Sequence, residues 1–184
     1  MITPGCRTLG AVHAVVLIDP KFPHNVGNAL RACAVFGASR LVWTGTRVAH
    51  PDRWTGSARL PREERMKAYR AVELGLGEEE PGDAISTLAA WGFVPVAVEV
   101  RDEAESLETF LHPERAVYVF GPEDGTLGRA TLSVCHRFLR IPTAVRTPLN
   151  LAAAVNIVLY DRHVKATRSA SPHVLDETEL GSPR

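Results

Sequence analysis

The chain alternates short apolar runs with longer segments of helical periodicity. Residues 14–18 (AVVLI) form a compact apolar run closed by Asp19-Pro20, the pattern of a buried strand. A loop over residues 21–24 leads into a helix starting near Asn25, with Leu30, Val35 and Phe36 on its apolar face and Gly37 as its C-terminal stop. Residues 40–44 (RLVWT) predict a second strand. Residues 61–75 combine good helix formers with a leading proline, which suits a first turn, and residues 83–91 predict another helix closed by Gly92. Residues 93–100 (FVPVAVEV) alternate as a strand does, and residues 106–111 read as a short helix. Residues 116–120 (AVYVF) predict a central strand with Gly121 at its carboxyl end, followed by a short helix over 127–135 and a last strand over 137–141. A long helix without interior glycine or proline then runs from Pro148 to about Lys165, opened by Thr147 and Pro148 as an N-cap and first-turn pair. Residues 168–184 are polar and irregular, which predicts a mobile tail after a single domain over 1–167.

Strands alternating with helices predict an α/β domain, a mainly parallel sheet with helices on both faces. Ligands of such sheets bind beyond the carboxyl ends of the strands, which directs attention to Gly121 and to the residues after Ile141.

Composition narrows the class further. Apolar residues make up 45% and charged residues 23%, as expected of a globular domain. No apolar run approaches the ~20 residues needed to span a bilayer, and the N-terminus does not read as a signal peptide, so a cytoplasmic protein without a membrane partner is expected. Cys6, Cys33 and Cys135 are odd in number and far apart, and the histidines lack ligand spacing; neither a disulfide framework nor a metal site is expected. Lys plus Arg equals Asp plus Glu at 21 each, so net charge gives no argument for nucleic acid. A local cluster does exist, with Arg53, Arg59, Arg62, Arg65, Lys67 and Arg70 set against Glu63 and Glu64. It reads either as a solvated face or as an RNA surface, with Arg59, Arg62 and Arg65 as its candidate contacts.

Three segments carry candidate chemistry. In Phe120-Gly-Pro-Glu-Asp-Gly125, a glycine directly after a buried strand lets a ligand approach the backbone, while Glu123 and Asp124 repel phosphate. A cationic or hydroxyl-rich ligand suits that loop, and a tight strand-to-helix turn is the plainer reading. In the segment from Ile141 to Asn150, Asn150 is a poor helix former in a first turn, so it either points at something or is a surface accident. In the segment from Asn25 to Arg31, Gly27 costs about 1 kcal/mol relative to alanine, which suggests close approach of another group. Arg31 by itself is equally an ion-pair partner or a functional residue.

Taken in order, the three segments resemble the motifs of the SPOUT methyltransferases, specifically the SpoU/TrmH branch. Asn25, Gly27 and Arg31 match the first motif; Phe120, Gly121, Glu123 and Gly125 the second; Ile141, Pro142, Leu149 and Asn150 the third. One departure is Pro148, which stands where the family usually has serine. The resemblance implies a C-terminal deep trefoil knot, an exception to the rule that chains avoid knots. It also implies a homodimer and transfer of a methyl group from S-adenosylmethionine to a ribose 2'-hydroxyl of RNA, with tRNA expected ahead of rRNA. On that pattern Gly121, Ile141 and Leu149 contact the cofactor, with Val98 and Glu99 as further candidates. Arg31 serves the RNA acceptor, and Asn25, Glu123 and Asn150 shape the catalytic site. A guanidinium holds its proton, so Arg31 is expected to act electrostatically and not as a base. A non-catalytic RNA- or cofactor-binding knot protein is the alternative, for which Pro148 is the best support.

Overall fold

A computed structural model describes residues 12–49, 72–75, 80–145 and 147–170. The elements in chain order are β1 (His13–Leu17), α1 (Pro23–Phe36), β2 (Arg40–Trp43), β3 (Glu73–Leu74), α2 (Pro81–Ala90), β4 (Val94–Val98), β5 (Glu105–Ser106), β6 (Ala116–Phe120), α3 (Gly128–Ser133), β7 (Arg137–Arg140) and α4 (Leu151–Ala170). The seven strands form one sheet in the order β3-β2-β1-β6-β4-β7-β5, and every described pairing is parallel.

Because strand side chains alternate between faces, β1 and β6 feed two separate cores. Val15, Leu17, Tyr118 and Phe120 pack on one side with Val26, Leu30 and Cys33 of α1 and Val155, Val158 and Leu159 of α4. Ala14, Val16, Val117 and Val119 pack on the other with Ala84, Ile85 and Leu88 of α2 and with Leu127 and Cys135 around α3. Helices therefore cover both faces, as a sheet this apolar requires. Burial raises the thiol pKa of both described cysteines, that of Cys135 to about 11, so they behave as small apolar core groups.

Several elements depart from the sequence pattern. The end of the segment expected to be helical over 61–75 is strand β3, where Glu73 and Leu74 register with Arg40 and Leu41 and Gly75 N–H donates to Leu41 O. Residues 61–71 lie outside the described residues. The helix expected over 106–111 is instead strand β5 followed by a single turn. Leu107 and Phe110 mimic a helical face by their spacing, but the bidentate Arg137–Glu105 pair and the bond from Leu107 N–H to Arg140 O recruit this segment to the sheet edge. Val35, expected on the apolar face of α1, is 68% exposed; the buried stripe is Val26, Ala29, Leu30, Ala32 and Cys33. Gly37 does close α1, in the left-handed region at φ 76. Thr147 and Pro148 do not open the long helix, which begins at Leu151 and continues to Ala170. Residues 171–184 lie outside the described residues, as do Cys6 and the cluster from Arg53 to Arg70.

Candidate active site

A pocket of about 320 Å³ opens at the carboxyl ends of β4 and β6 and against the segment after β7. Val98 and Glu99 come from the end of β4, Gly121 and Glu123 from the loop after β6, and Ile141, Leu149 and Leu151 from the segment between β7 and α4. All five candidate cofactor contacts (Val98, Glu99, Gly121, Ile141 and Leu149) line it. The volume is at the small end of ligand sites, whose usual range is about 300–1,000 Å³. A side chain at Gly121 would place its Cβ 3.4 Å from the backbone nitrogen of Leu127, so the loop folds tightly against the approach to α3. The charged lining residues are the carboxylates Glu99 and Glu123, with no Lys, Arg or His among the described lining. Glu99 is fixed by bonds from Leu127 N–H (3.1 Å) and Val100 N–H (3.3 Å). A pocket with two carboxylates and apolar walls suits a ligand bearing positive charge.

Beside the pocket three of the motif residues join in one hydrogen-bonded chain. Asn150 Nδ2 donates to Asn25 Oδ1 at 3.0 Å, and Asn25 Nδ2 donates to Glu123 Oε1 at 2.6 Å. Glu123 Oε2 accepts from the backbone N–H of Lys21 at 2.8 Å. Burial raises the Glu123 pKa, but these donors outweigh it and hold the carboxyl below its ordinary value, so it is ionised at neutral pH. Asn25 lies within α1, not at its N-cap, and is only 2% exposed. Asn150 is the residue that caps α4, its Oδ1 accepting from Ala152 N–H (2.9 Å) and Ala153 N–H (3.2 Å). Two amides of that helix start are thus taken by the protein itself.

Arg31 does not line the pocket. It faces a neighbouring groove between α1 and α4, shared with Asn28, Asn150, Ala153 and Asn156. It is exposed, and no hydrogen bond or ion pair engages its guanidinium among the described residues. Asn150 borders this groove and reaches toward the pocket through Asn25, so it links the two. Arg59, Arg62 and Arg65 lie outside the described residues.

A second polar group went unnoticed in the sequence. Arg47, after β2, pairs with Asp124 (2.9 Å) and with Asp19 after β1 (3.0 Å), and Lys21 pairs with Asp124 at 3.3 Å. The available signal was positional: Asp19, Lys21, Arg47 and Asp124 all follow strands that end on the same edge of the sheet.

An all-parallel sheet with a carboxylate-lined pocket at its carboxyl edge, flanked by a part-buried amide–carboxylate chain, defines a ligand-binding domain of the α/β class. Residues 13–160 match the SpoU rRNA Methylase family, and the chain belongs to that family of methyltransferases. The tRNA (cytidine-2'-O-)-methyltransferase TrmJ of Methanocaldococcus jannaschii is 27% identical over 166 residues, covering 85% of this chain and 69% of that protein. A solved structure described as giving insights into the 2-OH methylation of C/U34 on tRNA is 26% identical, with a TM-score of 0.68, covering 86% of this chain and 98% of its own. The SpoU methyltransferase AviRb of Streptomyces viridochromogenes, solved in complex with AdoMet, shares the fold at a TM-score of 0.71 and 19% identity. That match covers 88% of this chain, which spans 62% of the AviRb chain. Among the described residues no helix is long and apolar enough to cross a membrane, and no His, Cys, Asp or Glu cluster of metal-binding geometry occurs.

Proposed function

We propose that the protein transfers a methyl group from S-adenosylmethionine to a ribose 2'-hydroxyl of RNA. The observation that carries the proposal is the pocket itself: it gathers Gly121, Ile141 and Leu149, and it presents two carboxylates toward a ligand whose sulfonium and amino groups are cationic. Bound there, that cofactor supplies an electrophilic methyl group.

The rest falls to the residues of the chain. Glu123 and Asn25, locked together at 2.6 Å, form a rigid polar wall beside the pocket, and Asn150 ties that wall to the start of α4. Positioning of this kind can supply several kcal/mol of a transfer barrier. Arg31, with no partner among the described residues, is held ready for the RNA, either at the developing negative charge of the 2'-oxygen or at the adjacent phosphate. It keeps its own proton, and the proton of the 2'-hydroxyl leaves through phosphate or water. Pro148 lines the pocket where the family usually has serine, and Thr147, its neighbour in the chain and in the lining, carries a hydroxyl.

Transfer RNA is the first substrate choice. The TrmJ relative and the structure concerned with tRNA 2-OH methylation support it, and the family's rRNA members make rRNA the alternative. The reading places the protein in the cytoplasm. It further includes the knotted C-terminal segment of the family and a homodimer. Val35 of α1 (68% exposed) with Ile157 (37%) and Tyr160 (59%) of α4 offers an apolar face of the kind a second copy would cover. Arg59, Arg62 and Arg65 remain the candidate RNA contacts.

The test is incubation with bulk RNA and methyl-labelled cofactor. Label in tRNA at ribose is expected, and label in no RNA would favour the non-catalytic binding protein. Arg31→Ala is expected to abolish transfer with cofactor affinity largely intact; equal loss of both would refute its assignment to the acceptor.

A further inference from the structure

Three carboxylates, Asp19, Glu123 and Asp124, stand on the loops after β1 and β6; Glu123 lines the pocket, Asp124 follows it in the chain, and Arg47 joins Asp124 to Asp19. Unpaired, such a rim would repel the phosphates of an approaching RNA. Two cations answer it. Arg47 pairs with Asp124 at 2.9 Å and with Asp19 at 3.0 Å and also donates to the backbone oxygen of Asp19, while Lys21 pairs with Asp124 at 3.3 Å. Glu123 accepts from the side chain of Asn25 and the backbone of Lys21, and neither donor carries charge.

The backbone is shaped for this arrangement. Asp19 has φ 41, an uncommon value outside glycine, and Gly45 has φ 80. A Cβ on Gly45 would stand 2.1 Å from Asp19 Oδ1, so the carboxylate lies against bare backbone, two residues before the arginine that pairs with it.

We propose that Arg47 is a positioning residue that offsets the charge of the acidic rim, allowing an RNA backbone to approach, with Glu123 the one rim carboxylate held by uncharged donors. This rests on the RNA-methyltransferase reading. Arg47 does not line the pocket; it acts through Asp19 and Asp124.

The experiment measures methyl transfer from labelled S-adenosylmethionine to bulk RNA by the full chain, at low and high salt, alongside cofactor affinity and thermal melting. Arg47→Ala is expected to raise the KM for RNA about tenfold at low salt, with kcat and cofactor affinity changed by less than about twofold. Added salt narrows the gap. Removing the exposed charge as well, in Arg47→Ala/Asp124→Asn, should bring the KM back to within about threefold of wild type, and Arg47→Lys should restore most of it. Asp124→Asn alone, which releases Lys21 and leaves Arg47 paired with Asp19 only, is expected to lower the KM and carries the test if Arg47→Ala does not melt cooperatively. A wild-type KM in Arg47→Ala, a failure of Asp124→Asn to rescue it, or an equal loss of cofactor affinity overturns the proposal. Absence of label with the wild-type chain in any RNA overturns the methyltransferase reading and this proposal together, whereas a labelling wild type with an indifferent Arg47→Ala overturns the rim proposal alone.

Discussion

Asn150→Ala tests the physical link between the start of α4 and the catalytic wall. Two effects add. The substitution removes the acceptor for Ala152 and Ala153 N–H, and loss of an N-cap of this type costs about 1 kcal/mol. It also removes the donor to Asn25 Oδ1, an atom on a residue 2% exposed, and an unsatisfied buried acceptor costs about 1–3 kcal/mol. Asn150 itself is exposed, so water can partly replace it and the lower half of the sum applies, about 2–3 kcal/mol. For a chain of 184 residues that corresponds to a fall in melting temperature of roughly 5–10 °C. Asn150→Ser separates the two effects: serine caps a helix about as well but cannot reach back to Asn25, so it should retain the cap and cost about 1–2 kcal/mol. Urea unfolding followed by circular dichroism measures both, with equal m-values as the condition for comparing them. Asn150→Ala within 0.5 kcal/mol of wild type, a margin about that of an ordinary surface substitution, would refute the reasoning. So would a serine variant as unstable as alanine, since the cap would then contribute nothing.

Other predictions test features away from the pocket. Tyr118→Phe should cost about 1–3 kcal/mol in urea unfolding, because Arg162, 3% exposed, loses one of its acceptors and His112 Nδ1 loses its partner, while transfer kinetics stay unchanged. Burial holds the pKa of His112 below its ordinary 6.5, although Asp161 opposes the shift. The folded state therefore binds protons less readily than the unfolded chain, and this contribution to stability is full above pH 6.5 and declines as pH falls below it. Urea midpoints taken between pH 7.5 and 5.5 should show that slope, and it should flatten in His112→Gln. Gly45→Ala forces a side chain into a left-handed backbone and against the Asp19 carboxylate, at about 1–3 kcal/mol by thermal melting.

The sequence by itself determined five of the seven strands and the class of sheet. Runs such as AVVLI and AVYVF are apolar on both faces, which only a strand covered on both sides can satisfy, and the segments between them carry helical periodicity. It also brought out the three motif segments, because a glycine after a buried strand and polar residues at strand ends mark a site in this class of fold. The tertiary structure decided where local and non-local forces compete. Glu105 and Ser106 pair with β7, not with their own neighbours, because Arg137 and the β7 backbone lie across from them. Asn150 sits three residues after Thr147 and two after Pro148, both acceptable near a helix start, and its bond to Asn25 across 125 positions goes with a helix that begins after it. The Arg47 pairs with Asp19 and Asp124 span 28 and 77 positions, and no periodicity along a chain encodes such distances. A strand or a helix is specified by neighbours within one or two turns, whereas a charge balance at the edge of a sheet exists only once the strands have been brought side by side.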